Sequence, residues 1–131
     1  MTIHFFSDLE KSQFIRPVVT VGIFDGVHKG HRYIIDEMHK QARLVNGQTV
    51  IVTLWPHPRM VLYPGKEIKL LSTFEEKTKL LELNGVDHLV VIPFDKEFAA
   101  LKAIEFIEKI LIEKIGLHSL LLGFDNQFGS N

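Results

Sequence analysis

Short apolar runs punctuate this chain, and between them apolar residues recur at helical spacing. Residues 17–24 (PVVTVGIF) are β-branched and apolar and end at Asp25-Gly26, the pattern of a strand buried on both faces. Residues 48–55 (QTVIVTLW) repeat the pattern and stop at Pro56-His57-Pro58. Residues 88–92 (HLVVI) and 118–122 (HSLLL) are further runs of the same kind. In residues 31–44, Ile34, Ile35, Met38 and Ala42, with Val45 just beyond, trace one helix face that Asn46-Gly47 ends. Residues 72–84 form a second helix, capped by Ser72 or Thr73, with Glu75 and Glu76 in the first turn where the helix dipole favours acids. A loop marked by Pro64-Gly65 precedes it. Residues 96–115 are helical in one or two pieces, with a face of Leu101, Ile104, Ile107 or Glu108, Leu111 and Ile115, and Gly116 closes them.

Alternating strand and helix predicts an α/β fold: a Rossmann-like parallel sheet with helices on both faces. Such sheets bind ligands outside the carboxyl ends of their strands, where the strand order reverses. That rim gathers residues 25–31, 56–59 and 123–131, and the chemistry is expected there.

Composition narrows the class. The 131 residues suit one domain, and with 46% hydrophobic and 24% charged residues the chain resembles an ordinary globular protein. Fifteen basic residues against 16 acidic ones leave a formal charge of −1, which argues against nonspecific nucleic-acid binding and against an electrostatic membrane anchor. There is no cysteine, so disulfides and thiolate metal sites are excluded. No segment resembles a signal peptide or approaches the roughly 18 apolar residues of a membrane span. A cytoplasmic protein that acts on small molecules, with no nucleic-acid or membrane partner, is the expectation.

The first rim segment is Gly22-Ile23-Phe24-Asp25-Gly26-Val27-His28-Lys29-Gly30-His31. Gly26 and Gly30 let backbone approach a bulky anion. The free N–H groups of a helix start point at that anion, and the dipole favours its charge. His28 and His31 are three apart, which in a first turn puts both imidazoles on one side, able to donate to phosphate oxygens. A tight turn with two surface histidines, or a metal pair, fits the same residues. A zinc site needs a third ligand such as His57, and neither His-Glu-x-x-His nor an acidic partner accompanies the pair. No metal site is therefore expected. The segment is neither the P-loop nor the Gly-x-Gly-x-x-Gly fingerprint. Trp55-Pro56-His57-Pro58 by itself is a rigid proline turn.

The whole decapeptide resembles the Gly-x-Phe-Asp-Gly-Val-His-x-Gly-His signature of bacterial FAD synthetases, the bifunctional riboflavin kinase/FMN adenylyltransferases of the HxGH nucleotidyltransferase superfamily. Related cytidylyltransferases and pantetheine-phosphate adenylyltransferases share His-x-Gly-His but usually differ at Phe-Asp-Gly-Val. Pro56-His57-Pro58 looks like the family's Phe-x-Pro-His-Pro segment, with the aromatic shifted to Trp55. Residues 123–129 resemble its Gly-x-Asp/Asn-Phe-x-Phe-Gly segment, with Asn126 in place of the usual Phe. Residues 71–81, with Lys77, and residues 85–95 look like the family's intervening helix and strand.

The resemblance implies transfer of AMP from ATP to FMN, giving FAD and pyrophosphate, with ATP and FMN as substrates and Mg²⁺ neutralising phosphates. It makes His28 and His31 the catalytic donors to the phosphates. Gly22, Ile23, Phe24, Asp25, Gly26 and Gly30 become the ATP-facing floor, with Asp25 either touching ligand or capping the turn through its side chain. His57, Pro58, Asp125 and Phe128 fall on the flavin or substrate side, with packing under the loop the other reading of Phe128. Residues 1–131 are then an FMN adenylyltransferase domain that stops short of the family's second signature, Ile-Ser-Ser-Thr-x-x-Arg. The riboflavin kinase domain is absent from these 131 residues. The expectation follows that this piece alone is weakly active or inactive. A nucleotidyltransferase with a different phosphorylated acceptor, and a flavin- or nucleotide-binding module without catalysis, are the alternatives.

Overall fold

A computed structural model describes residues 1–10, 13–24, 29–55 and 73–122, without the side chains of Lys29 and Gly30. The described strands are β1 (Thr2–Phe5), β2 (Val18–Val21), β3 (Thr49–Trp55), β4 (His88–Pro93) and β5 (Ser119–Leu120). They form one sheet in the order β1-β4-β3-β2-β5, and every pairing is parallel. The expected α/β architecture is present.

Helix α1 (Lys29–Val45) crosses from β2 to β3. Its apolar stripe is the one read from the sequence: Ile35, Met38 and Ala42 are buried. They pack with Val18, Ile51, Leu89 and Val91 on one face of the sheet. The helix ends where Asn46 adopts a left-handed φ of 53°. Gly47 is required for a different reason, because a Cβ there would lie 2.1 Å from the Arg16 carbonyl oxygen. Arg16 in turn donates from Nε to the Val45 carbonyl at 2.7 Å, satisfying one of the helix's last acceptors.

Helix α2 (Phe74–Leu83) crosses from β3 to β4 on the same face, where Leu81 is buried. Of the two predicted caps the chain uses Thr73. Its hydroxyl accepts from the Glu76 N–H at 3.1 Å, and the Glu76 carboxylate accepts from the Thr73 N–H at 3.1 Å.

Residues 96–115 are helical in separate pieces: α3 (Lys96–Ala99), α4 (Ala103–Phe106) and a π-helical continuation, Ile107–Ile115. A π-helix takes more residues per turn than an α-helix, which shifts the buried face. Phe106, Ile110, Leu111 and Ile115 are buried, whereas Ile104, assigned to that face from α-helical spacing, is 58% exposed. These residues cover the second face of the sheet against Val19, Val21, Val50, Val52, Leu54, Val90 and Ile92.

Two strands differ from the sequence-based expectation. β5 is only Ser119–Leu120, although the Leu121 N–H still donates to the Val19 carbonyl at 2.8 Å. β1 was not expected at all. It is an edge strand with no fully buried residue, so it exists by pairing with β4 and carries no apolar period of its own.

From β2 the chain steps to β3 and β4 on one side, then returns to lay β5 on the other side of β2. The order therefore reverses at the carboxyl end of β2, which leads directly into the glycine- and histidine-rich segment.

Candidate active site

The β2 carboxyl end is built in layers. The Gly22 N–H continues the ladder by donating to the Val52 carbonyl at 2.9 Å. The Ile23 carbonyl then leaves the ladder and accepts from two side chains, Lys77 Nζ at 2.8 Å and Thr53 Oγ1 at 3.1 Å. Lys77 Nζ also donates to Thr53 Oγ1 at 3.1 Å, so carbonyl, hydroxyl and ammonium close a triangle. Both lone pairs of the carbonyl oxygen are engaged.

The next residue, Phe24, has a left-handed φ of 55°. For a bulky residue without a local hydrogen-bonding side chain this conformation costs roughly 1–2 kcal/mol. It turns the Phe24 ring into the core, where it is buried and sits 4.6 Å from the His31 ring at an interplanar angle of 37°. Only the Phe24 backbone is left to face a ligand, which narrows its expected role in the floor.

His31 is the third residue of α1, inside the first turn. It is 6% exposed. It is thus a buried side chain packed on Phe24, not a surface one. No acid lies in that first turn, unlike the starts of α2, α3 and α4. Within that first turn no carboxylate offsets the positive end of the helix dipole.

Of the residues expected at the site, the structure brings together Gly22, Ile23, Phe24 and His31, with Gly30 placed by its backbone in the first turn of α1. Asp25, Gly26, His28, His57, Pro58, Asp125 and Phe128 lie outside the described residues. Trp55, at the end of β3, packs on Phe74 with ring centroids 5.3 Å apart and lies 5.5 Å from Lys77 Nζ, so the described contacts make it part of the support. Sequence reasoning missed the structural importance of Thr53 and Lys77. A lysine at an inward position of the second helix was the available signal, since lysine is almost never fully buried unless paired.

Among the described residues no group of three or more His, Cys, Asp or Glu side chains could hold a metal ion. No helix among them is long and apolar enough to cross a membrane.

The family model and the sequence relatives agree. Residues 10–131 match the family model described as FAD synthetase. The bifunctional riboflavin kinase/FMN adenylyltransferase of Escherichia coli (strain K12) is 34% identical over 113 residues, covering 86% of this chain and 36% of that protein. The Bacillus subtilis (strain 168) protein of the same name is 33% identical over 122 residues, covering 92% and 38%. The chain spans little more than a third of the length of these relatives. A crystal structure described as a macrolide-efflux protein from Streptococcus pneumoniae superposes with a TM-score of 0.82 at 28% identity, over 99% of this chain and 45% of that one.

Proposed function

The chain belongs to the FAD synthetase family, and we propose that it carries the site that transfers AMP from ATP to FMN. The observation that carries this reading is the acid-free start of α1 at the sheet's switch point, with His31 in its first turn. An FMN phosphate oxygen attacks the α-phosphorus of ATP in line. The new P–O bond forms as the bond to the β-phosphate's bridging oxygen breaks, and pyrophosphate leaves with that electron pair. No proton has to move at the reacting phosphorus. The protein's task is positioning and stabilising charge on oxygens already present.

His28 and His31 donate to phosphate oxygens around the scissile bond, and the first amides of α1 add donors beside them. Gly22, Ile23, Asp25, Gly26 and Gly30 form the floor under ATP. His57, Pro58, Asp125 and Phe128 meet the flavin. Magnesium enters as part of the Mg·ATP substrate, where it neutralises the phosphates. Domain 1–131 is the adenylyltransferase unit, with riboflavin phosphorylated in a separate module of the same polypeptide. The cytoplasm is its proposed location.

The test is His28→Ala and His31→Ala in the full-length polypeptide, with FAD resolved from FMN by chromatography. The kcat/KM for FAD formation is expected to fall roughly ten- to a thousandfold, the scale of losing a transition-state donor. Riboflavin phosphorylation stays within about twofold, because a separate module that still folds keeps its own transition-state contacts. Undiminished FAD formation overturns the assignment of the imidazoles. A wild-type protein that makes no FAD overturns the function itself.

A further inference from the structure

Lys77 is only 3% exposed, yet its side chain runs from α2 under the carboxyl end of the sheet. Burying an ammonium group is costly, and an uncharged linear side chain of similar length would fill the same space without that cost. Stability alone does not account for a lysine here. Its contacts do suggest a reason. Nζ meets the Ile23 carbonyl at 2.8 Å and Thr53 Oγ1 at 3.1 Å, with the Trp55 and Phe74 ring centroids 5.5 and 5.9 Å away. The carbonyl it holds belongs to the peptide immediately before left-handed Phe24, and the Phe24 ring packs on His31.

We infer that Lys77, together with Thr53, is a positioning residue that locks the turn after β2 and thereby sets the orientation of the His31 ring. The inference rests on the role proposed above for His31. The linkage is a sequence of contacts. The ammonium and hydroxyl together engage both lone pairs of the Ile23 carbonyl, which fixes the plane of the following peptide. That plane holds Phe24 in a conformation it would otherwise leave. Phe24 then forms the wall against which the imidazole stands. Without Lys77 the carbonyl is held by the Thr53 hydroxyl alone, Phe24 relaxes toward negative φ, and the ring loses its wall. Misplacing a catalytic group by about 1 Å can lower the rate by about a hundredfold. Substrate binding through other contacts is largely spared, so the loss falls on kcat and not on KM.

The experiment uses the full-length polypeptide labelled with ¹⁵N-histidine, with the His31 signals identified by their disappearance in His31→Gln. Lys77→Met keeps length and removes the donors. Thr53→Val keeps shape and removes both the donor to Ile23 and the acceptor for Lys77. Lys79→Met, at an exposed position on the same helix, is the control. Lys77→Met is expected to lower kcat for FAD formation about ten- to a hundredfold, with KM for ATP and FMN within about threefold, and to shift the His31 ring signals. Thr53→Val reproduces both effects more weakly and decides the matter if Lys77→Met fails to fold. Lys79→Met changes neither.

A folded Lys77→Met or Thr53→Val protein with unmoved His31 signals overturns the inference, as does a loss confined to KM. The two readings separate cleanly. If His31 signals move in Lys77→Met while wild type makes no FAD, the clamp stands and the function falls. If wild type makes FAD and the signals do not move, the clamp falls and the function stands.

Discussion

The two ends of the sheet use polar side chains in opposite ways. At the amino end they bond to one another. The Gln13 amide donates to His4 Nδ1 at 3.1 Å, His4 Nε2 donates to His88 Nδ1 at 3.0 Å, and His88 Nε2 donates to Gln48 Oε1 at 3.1 Å. Each member has one consistent role when both imidazoles are neutral. Beside them the Thr49 N–H and hydroxyl donate to the Asp87 carboxylate at 2.9 and 3.2 Å, and the Asp87 N–H donates back to Thr49 Oγ1 at 2.9 Å. At the carboxyl end, Lys77 and Thr53 hold a backbone carbonyl at the point where the chain adopts a costly conformation. The amino end is closed upon itself and stabilises the fold. The carboxyl end holds its backbone in a shape that costs stability, where the proposed site lies. Helix starts repeat the contrast: α2 satisfies its own amides through Thr73 and Glu76, whereas α1 has no acid in its first turn.

Substitutions can break this division, and the largest effect belongs to the carboxyl end, in the histidine and lysine variants already given. At the amino end, Asp87→Ala is expected to lower unfolding free energy by about 1–2 kcal/mol, because buried Thr49 loses a charged acceptor, while kcat for FAD formation per folded molecule is unchanged. Urea unfolding beside the chromatographic assay checks both, and a fall in kcat would show that the two ends are coupled. Thr73→Ala removes the capping box of α2 and is expected to cost about 1 kcal/mol in the same unfolding measurement. If that variant also loses activity out of proportion to stability, the start of α2 belongs functionally with Lys77, one helical turn further along.

The smallest expected effect is a pH dependence from the amino end. Burial lowers the pKa of both His4 and His88 below the ordinary histidine value, and His4 further opposes protonation of His88. Around His88, His4 and the chain's amino terminus push the same way as burial, while Asp87 pushes the value up. A group whose folded pKa is depressed binds fewer protons in the folded state than in the unfolded one. Stability from this pair is therefore complete above the unfolded value near 6.5 and declines as pH falls below it. The urea midpoint should drop between pH 7.5 and 5.5, and His4→Gln should reduce that drop. An equal drop in the variant would place the pH dependence elsewhere.

Alternating apolar runs and helical stripes were enough to determine the parallel α/β sheet and the two helices that cross between β2, β3 and β4. Those features follow from local periodicity: Ile35, Met38 and Ala42 are buried for the reason their spacing gives. The glycine–histidine decapeptide could be named from sequence because its residues are consecutive, and the structure describes its backbone at residues 22–24 and 29–31. What periodicity could not determine is what depends on neighbours distant in the chain. β1 exists only through β4, and the π-winding of Ile107–Ile115 moves Ile104 out to solvent. The hold on Ile23 joins residues 24 and 54 positions away from Lys77. A lysine in an amphipathic helix reads as a solvated side chain until the sheet is folded beneath it. Only then do the carbonyl and hydroxyl that make its burial tolerable come within reach.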